Sequence, residues 1–169
     1  GLELFVLDHR INMLYECTNT IQSLDLLGRK VLADNGKKLK AFGARIVEFV
    51  EDEGTNEAMQ EFVNPLADLG DKVTKLTTEL GMKAFQNADE VGGAAVDYLR
   101  VCGHLVYAYF FARMAKIALE KAGSGDAFYT AKLHTARFYF AKLLPETAGL
   151  IRTARSGVAP LMAMDEAMF

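Results

Sequence analysis

Few residue types in this sequence of 169 could do chemistry: three histidines, two cysteines, and carboxylates such as Glu16, set in the polar run Glu16-Cys17-Thr18-Asn19-Thr20. Metal centres inside helical bundles need Glu-x-x-His pairs projecting inward from two helices. His9, His104 and His134 have no carboxylate at that spacing, so no metal site is expected. His104, beside the most apolar stretch, reads as a hydrogen-bonded core histidine. The sequence holds no His-Glu-x-x-His, no Gly-x-Ser-x-Gly, no Walker loop and no Gly-x-Gly-x-x-Gly. Cys17 and Cys102 lie far apart without a Cys-x-x-Cys or Cys/His pattern, which predicts two reduced thiols in a cytosolic protein. By its residue type alone, Glu16 is one carboxylate among 22 acidic side chains. Alone it reads as a surface carboxylate near a helix start, where the helix dipole favours it. Held in position, a carboxylate can also serve as a general base.

The elements that would position it are helical. Leu66, Leu69, Val73, Leu76 and Leu80 form one apolar seam and leave Asp68, Asp71, Lys72, Lys75 and Glu79 for solvent. Met59 and Phe62 extend that register back to an N-cap near Thr55, followed by Glu57. Pro65 is compatible with a kink, or with a restart capped by Asn64. Asn87 followed by Glu90 reads as a capping-box variant. It opens a helix whose stripe is Ala95, Tyr98, Cys102, Leu105, Tyr109 and Ala112. Val101, Val106, Phe110, Phe111 and Met114 make this helix apolar nearly all round, which places it in the middle of a bundle. Gly92-Gly93 suggests a close helix approach and not a phosphate cradle, which would need more glycines after a strand.

Gly123-Ser124-Gly125-Asp126 stops this helix and caps the next, which carries Phe128, Ala131, Thr135, Phe138, Tyr139 and Leu143. Pro145 should bend the chain before Leu150 and Ile151, and the aromatics Phe138-Tyr139-Phe140 read as core. Upstream, Leu24, Leu27 and Val31 form a short helix broken by Asp34-Asn35-Gly36. Leu39, Phe42, Ile46, Phe49 and Val50 resume it. The expected fold is all-α, an antiparallel bundle of about four long helices with short connections. The tail from Val158 to Phe169, with three methionines, should fold back onto the bundle.

Apolar residues make up 51%, charged residues 24%, and the net charge is −3, so nothing favours nucleic acid or an anionic membrane as partner. The stretch Leu105–Ala112 falls well short of the roughly 20 apolar residues of a membrane span. Gly1 to Arg10 already carries Glu3, Asp8, His9 and Arg10, unlike a signal peptide, so a cytoplasmic location is expected. The start without a Met suggests a fragment or a processed chain.

Residues 7–22 add a resemblance. Arg10, Ile11, Tyr15, Glu16, Thr18, Ile21 and Gln22 match, in order and spacing, the Arg-Ile-x-x-Ile-Tyr-Glu-Gly-Thr-x-x-Ile-Gln signature of acyl-CoA dehydrogenases, with Leu14 in place of the second Ile. Asp25-Leu26-Leu27-Gly28-Arg29-Lys30 resembles the next stretch in one branch of that family, whose members carry an additional C-terminal helical domain. Asp97-Tyr98-Leu99, Gly103, Ala131-Lys132, Ala136-Arg137-Phe138-Tyr139 and Leu144-Pro145 are similar to that extra domain. The branch includes enzymes acting on 3-methylthiopropanoyl-CoA and other acyl-CoA thioesters.

The resemblance implies an oxidoreductase in which a carboxylate takes the α-proton of an acyl-CoA while the β-hydride passes to FAD. The Glu of the motif is that base, which maps to Glu16. Its backbone N–H and a flavin ribityl hydroxyl would polarise the thioester carbonyl. Thr18, Asn19 and Thr20 fall where the family contacts FAD, and Tyr15 and Gln22 read as supports. Cys17 stands where the family has Gly, close to the substrate thioester. Residues 1–33 would end the catalytic helical domain and residues 34–169 would form the added bundle. The family's other two domains, which hold most of the flavin and CoA contacts, are absent from the chain. FAD and acyl-CoA are therefore expected in the complete enzyme, with this chain alone inactive and without cofactor. A homo-oligomer is also expected by family analogy. The alternative is a free-standing helical oligomerisation or docking module with a vestigial motif.

Overall fold

A computed structural model describes residues 3–4 and 19–168. The predicted site residues Glu16, Cys17 and Thr18, with Cys17's expected free thiol, lie outside the described residues. Among those described there is no strand. The elements are α1 (Asn19–Leu24), continued as a π-helical segment (Asp25–Leu32), α2 (Lys37–Glu53), α3 (Gln60–Gln86), α4 (Asp89–Glu120), α5 (Ala127–Phe138), a second π-helical segment (Tyr139–Leu143), α6 (Glu146–Ser156) and α7 (Ala159–Met162). This is the all-α bundle expected from the apolar periods.

The 32-residue α4 is the axis, about 48 Å long. Helices α1, α3, α5 and α6 all pack on it. Its Tyr98, Val101, Leu105, Ala108 and Ala112 meet the α3 seam of Leu66, Leu69, Val73, Leu76 and Leu80, and all of these are buried. Three alanines of α4, Ala108, Ala112 and Ala115, are fully buried, which lets neighbouring helices approach closely. The all-round apolar character is only partly used. Val106 and Phe110, expected to widen the buried stripe, remain exposed.

Helix α3 runs unbroken through Pro65, so there is no restart at Asn64. The ring costs a single i→i−4 bond near the helix start, while Phe62, Val63 and Leu66 stay fully packed around it. Its entry differs by one residue from expectation. Asn56, not Thr55, is the extended residue before the short 3₁₀ turn Glu57–Met59. The capping box before α4 is half formed. Asn87 Oδ1 accepts from the Asp89 amide at 3.1 Å, but the Glu90 carboxylate does not reciprocate. It lies instead against Gly157, with Oε2 buried and without a hydrogen-bond partner among the described residues.

Turn chemistry follows the sequence closely. Asn35 and Gly36 both take positive φ, and Asp34 Oδ1 accepts from the Lys37 amide at 3.1 Å. Gly125 takes φ 74°, and Asp126 caps α5 by accepting from the Phe128 amide at 2.8 Å. Of the glycine pair, only Gly93 makes a close approach, and its partner is a turn. A Cβ there would lie 3.3 Å from the backbone of Gly157 and Val158.

Three expectations of burial fail. The stripe Phe128, Ala131, Thr135, Phe138, Leu143 faces outward, with Phe138 58% exposed. Of the predicted stripe Tyr139 is buried, as is Phe140 from the predicted aromatic core, and Ala136 is buried although no stripe included it. Leu24 is also exposed, while Leu27 and Val31 are buried in the core. The tail does not return to the bundle: Leu161 and Met168 are 67% and 72% exposed. No helix among the described residues is long and apolar enough to cross a membrane.

Candidate functional site

Of the predicted site, Asn19 and Thr20 open α1, and Thr20 is exposed. The first turn is tightened by Ser23, which is buried and donates from its hydroxyl to the Thr20 carbonyl at 2.7 Å. The next stretch, Asp25-Leu26-Leu27-Gly28-Arg29-Lys30, becomes a π-helix, in which the Ala33 amide reaches back five residues to the Gly28 carbonyl at 3.0 Å. This widened turn brings two cations to one carboxylate. Asp25 pairs with Arg29 at 2.5 Å and with Lys30 at 3.1 Å. The hydrogen bond from Lys30 holds the Asp25 carboxyl below its usual range against the cost of desolvation, with Arg29 assisting. Leu27 and Val31, on the opposite side, anchor the segment in the bundle core.

Beyond this segment opens an apolar groove of about 1300 Å³ between α2 and α3. Gly43, Gly70 and Gly81 give it small walls, and Ile46, Val73 and Leu105 lie at its base. Thr20 is not among the described residues that line it. The sequence held its signal, since Gly70 and Gly81 are eleven residues apart and so share one face of a helix.

A polar network that the sequence did not reveal joins α4 to the second π segment and α6. His104 Nδ1 lies 3.0 Å from the Tyr139 hydroxyl, and His104 Nε2 lies 3.2 Å from Glu146 Oε2. Arg100 pairs with the other oxygen of Glu146. The partners are 35 to 46 residues apart in sequence, so no local pattern could have found them. His104 is thus a hydrogen-bonded packing residue. Burial pushes the Tyr139 phenol above its usual range, with Tyr107 adding to it, so Tyr139 stays protonated.

Other buried groups are equally inert. Tyr98 is hydrogen-bonded to Thr77 at 2.7 Å and is raised by burial. Cys102 is a free thiol that burial pushes up to about 12, so it is no nucleophile near neutral pH. Glu53 is held below its usual range chiefly by the hydrogen bond from Lys116, against desolvation. Among the described residues no three His, Cys, Asp or Glu side chains converge to hold a metal ion. What the described residues present is a scaffold: packed helices, one charged π turn, and an apolar groove.

Known proteins give this scaffold a lineage. Residues 42–165 match the family described as acetyl-CoA dehydrogenase C-terminal like. The chain is 31% identical to a broad-specificity linear acyl-CoA dehydrogenase of Mycobacterium tuberculosis, over 99% of this chain and 29% of that protein. It is 33% identical to the 3-methylmercaptopropionyl-CoA dehydrogenase of Ruegeria pomeroyi, over 86% of this chain and 25% of that protein. A butyryl-CoA dehydrogenase of Syntrophomonas wolfei is 30% identical over 84% of this chain and 24% of its own length. The chain therefore spans less than a third of the curated relatives it matches. The helical packing and the match over residues 42–165 together show that this chain belongs to the acetyl-CoA dehydrogenase C-terminal-like family.

Proposed function

We propose that this chain is the C-terminal part of a flavin-dependent acyl-CoA dehydrogenase, in which Glu16 removes the α-proton of an acyl-CoA thioester. The observation that carries the reading is a coincidence of independent signals. The Arg10–Gln22 signature lies wholly outside residues 42–165, yet both point to one family. The relatives' names add the substrate class, acyl-CoA thioesters with linear, butyryl or methylmercaptopropionyl groups.

An α-proton beside a thioester is too weakly acidic for water to remove at neutral pH. A positioned carboxylate contributes roughly 10² to 10⁴-fold to such a transfer. The Glu16 backbone N–H would hold the thioester oxygen as negative charge develops on it. FAD, when bound, supplies the acceptor for the β-hydride. Thr18, Asn19 and Thr20 would line one edge of the flavin, and Thr20 is exposed as such a contact requires. In this reading the chain by itself holds no FAD and is inactive. Residues 1–33 then close the catalytic unit and residues 34–169 form the added bundle. Leu27 and Val31 tie the two together by sharing one core with α3 and α4. In this reading the complete enzyme is a cytoplasmic homo-oligomer.

Replacing Glu16 with Gln in the complete enzyme tests this. The variant keeps the flavin absorbance, but acyl-CoA no longer bleaches it, because Gln is nearly isosteric and cannot take the proton. Bleaching at the native rate would show that another carboxylate is the base. A second reading, a helical docking module, draws its support from the open groove between α2 and α3.

A further inference from the structure

We propose that the outward face of α4 is a twofold interface, on which a second copy of this chain packs antiparallel with Phe110 of each entering the gap at Gly103 of the other. The inference does not depend on the dehydrogenase reading. Val96, Gly103, Phe110 and Ile117 recur every seven residues along α4, and Leu99, Val106, Tyr107 and Met114 lie beside them on the same face. None of the eight is charged, over a length of about 32 Å. The described helices leave this side of α4 open, with Val96, Val106, Tyr107, Phe110 and Ile117 exposed.

Gly103 is the residue on this face that the chain's own packing does not explain. Glycine weakens a helix interior relative to alanine. Yet a Cβ added at Gly103 meets nothing within 4 Å, so its smallness serves no neighbour among the described residues. Phe110, two turns on, is 54% exposed on the same seam. A gap and a bulge side by side on one surface are the two halves of a self-complementary contact.

One register satisfies the whole face. With the twofold axis between Val106 and Tyr107, Phe110 meets the partner's Gly103, and Ile117 meets the partner's Val96. Met114 then meets the partner's Leu99, and Tyr107 the partner's Val106. Each pairing fills the seam with apolar side chains, and symmetry makes each occur twice. A parallel pair would instead set Phe110 against Phe110 and leave two glycines facing. The match lies within one sequence read against its own reverse, which is what selects a second copy as the occupant. The seven-residue repeat also suits the shallow crossing, about 20°, at which paired helices interdigitate.

Charge and area agree with this pairing. Arg100 and Arg113 sit about 70° to either side of the seam. Each is held by its own bundle, Arg100 by Glu146 and Arg113 over the Tyr109 ring, 5.5 Å from its centre. In the antiparallel pair Arg100 and the partner's Arg113 fall on opposite flanks, so the guanidiniums frame the seam without meeting. The five exposed side chains present on the order of 500 Å², near the upper limit for a patch on a monomer. Two such faces bury about 1,000 Å², the size at which specific interfaces begin.

Sedimentation velocity of the full chain across the micromolar range tests this. The wild type should form dimers. Phe110→Gly, which removes the bulge, and Gly103→Phe, which fills the gap, should each weaken dimerisation at least about tenfold while helical circular dichroism is unchanged. An equimolar mixture of these two single variants should dimerise again, because every bulge then faces a gap. Loss of helix stability alone would not be rescued by mixing. Nitroxides at Lys121→Cys, in a chain with Cys17→Ser and Cys102→Ala, should lie roughly 45 Å apart, because antiparallel packing sends the two helix ends to opposite ends of the seam. A monomer throughout the range, a dimer indifferent to both single variants, or single variants that stay apart when mixed would each overturn the proposal. So would a label separation under about 20 Å, which a parallel pair would give.

Discussion

The hydroxyl of Tyr139 lies 3.0 Å from Nδ1 of His104 and also donates to the His104 backbone carbonyl at 3.0 Å. One phenol thus grips both the side chain and the main chain of a helix 35 residues away. Tyr139→Phe should lower stability by about 1–3 kcal/mol, because it strips a buried polar partner from the His104 ring. Urea melts of the two proteins would check this, and a change below about 0.5 kcal/mol would mean that the pair is ornamental.

Three buried acids set an alkaline limit. Tyr98, Tyr139 and Cys102 are all raised by burial, Cys102 to about 12. A raised folded-state pKa means that the unfolded chain ionises first. Stability is therefore full below the unfolded values, about 8.5 for Cys and 10 for Tyr, and falls as pH rises through them. The expected slope reaches about 1.4 kcal/mol per pH unit for each group. Cys102→Ala with Tyr139→Phe should flatten the loss between pH 8.5 and 11. An unchanged pH profile would assign the loss elsewhere.

On the acid side, Lys116 Nζ contacts Glu53 at 2.5 Å, and this carboxylate is nearly buried. Its lowered pKa stabilises the fold above the ordinary carboxylate value, about 4.3, and the contribution is lost as pH falls through the folded value. Lys116→Met should lower stability at neutral pH and change it little under acid conditions. Equal losses at pH 7 and pH 3 would point to packing and not to charge.

Gly157 sits at φ 77° and ψ −169°, a region open almost solely to glycine. A Cβ there would also come 2.7 Å from Glu90 Oε2. Gly157→Ala should destabilise by about 1–3 kcal/mol. Adding Glu90→Ala should recover only the clash and leave the backbone strain, which thermal melts of the single and double variants would separate.

In the complete enzyme of the proposed reading, Cys17→Gly should raise kcat if the thiol crowds the thioester. A misplacement of about 1 Å can cost roughly 10²-fold. Steady-state kinetics with several acyl-CoA lengths would show it. An unchanged kcat with a lower melting temperature would mean that the backbone has adapted to Cys17.

Much of this fold was legible because a helical period survives wherever one face is fully buried. Leu66 to Leu80 shows this, as does Tyr98 to Ala112. The period misled in α5, where two faces are apolar. Phe128 and Phe138 outweigh Ala136 in apolar area, yet Ala136 is the residue small enough to lie against α4. Inter-helix pairs such as Arg137 with Glu61 are 76 residues apart and leave no mark in the sequence. The candidate base Glu16 rests on the order of a motif alone and lies outside the described residues, whereas the groove arises from glycines on two helices that only the fold brings together.

The π-helical segments carry a consequence for the lineage of this chain. Each holds more residues per turn than an α-helix, so neighbours in sequence can share a face, as the buried Tyr139 and Phe140 do. Elsewhere in a helix, gaining or losing one residue rotates everything beyond it by about 100°. At Tyr139–Leu143 the slack is already built in. The loss of the exposed Ala141 would let the segment tighten to an ordinary α-turn while α5 and α6 keep their faces. Insertions and deletions between cousins of this bundle should therefore gather at these two turns, where the helix can change its length without changing its grip.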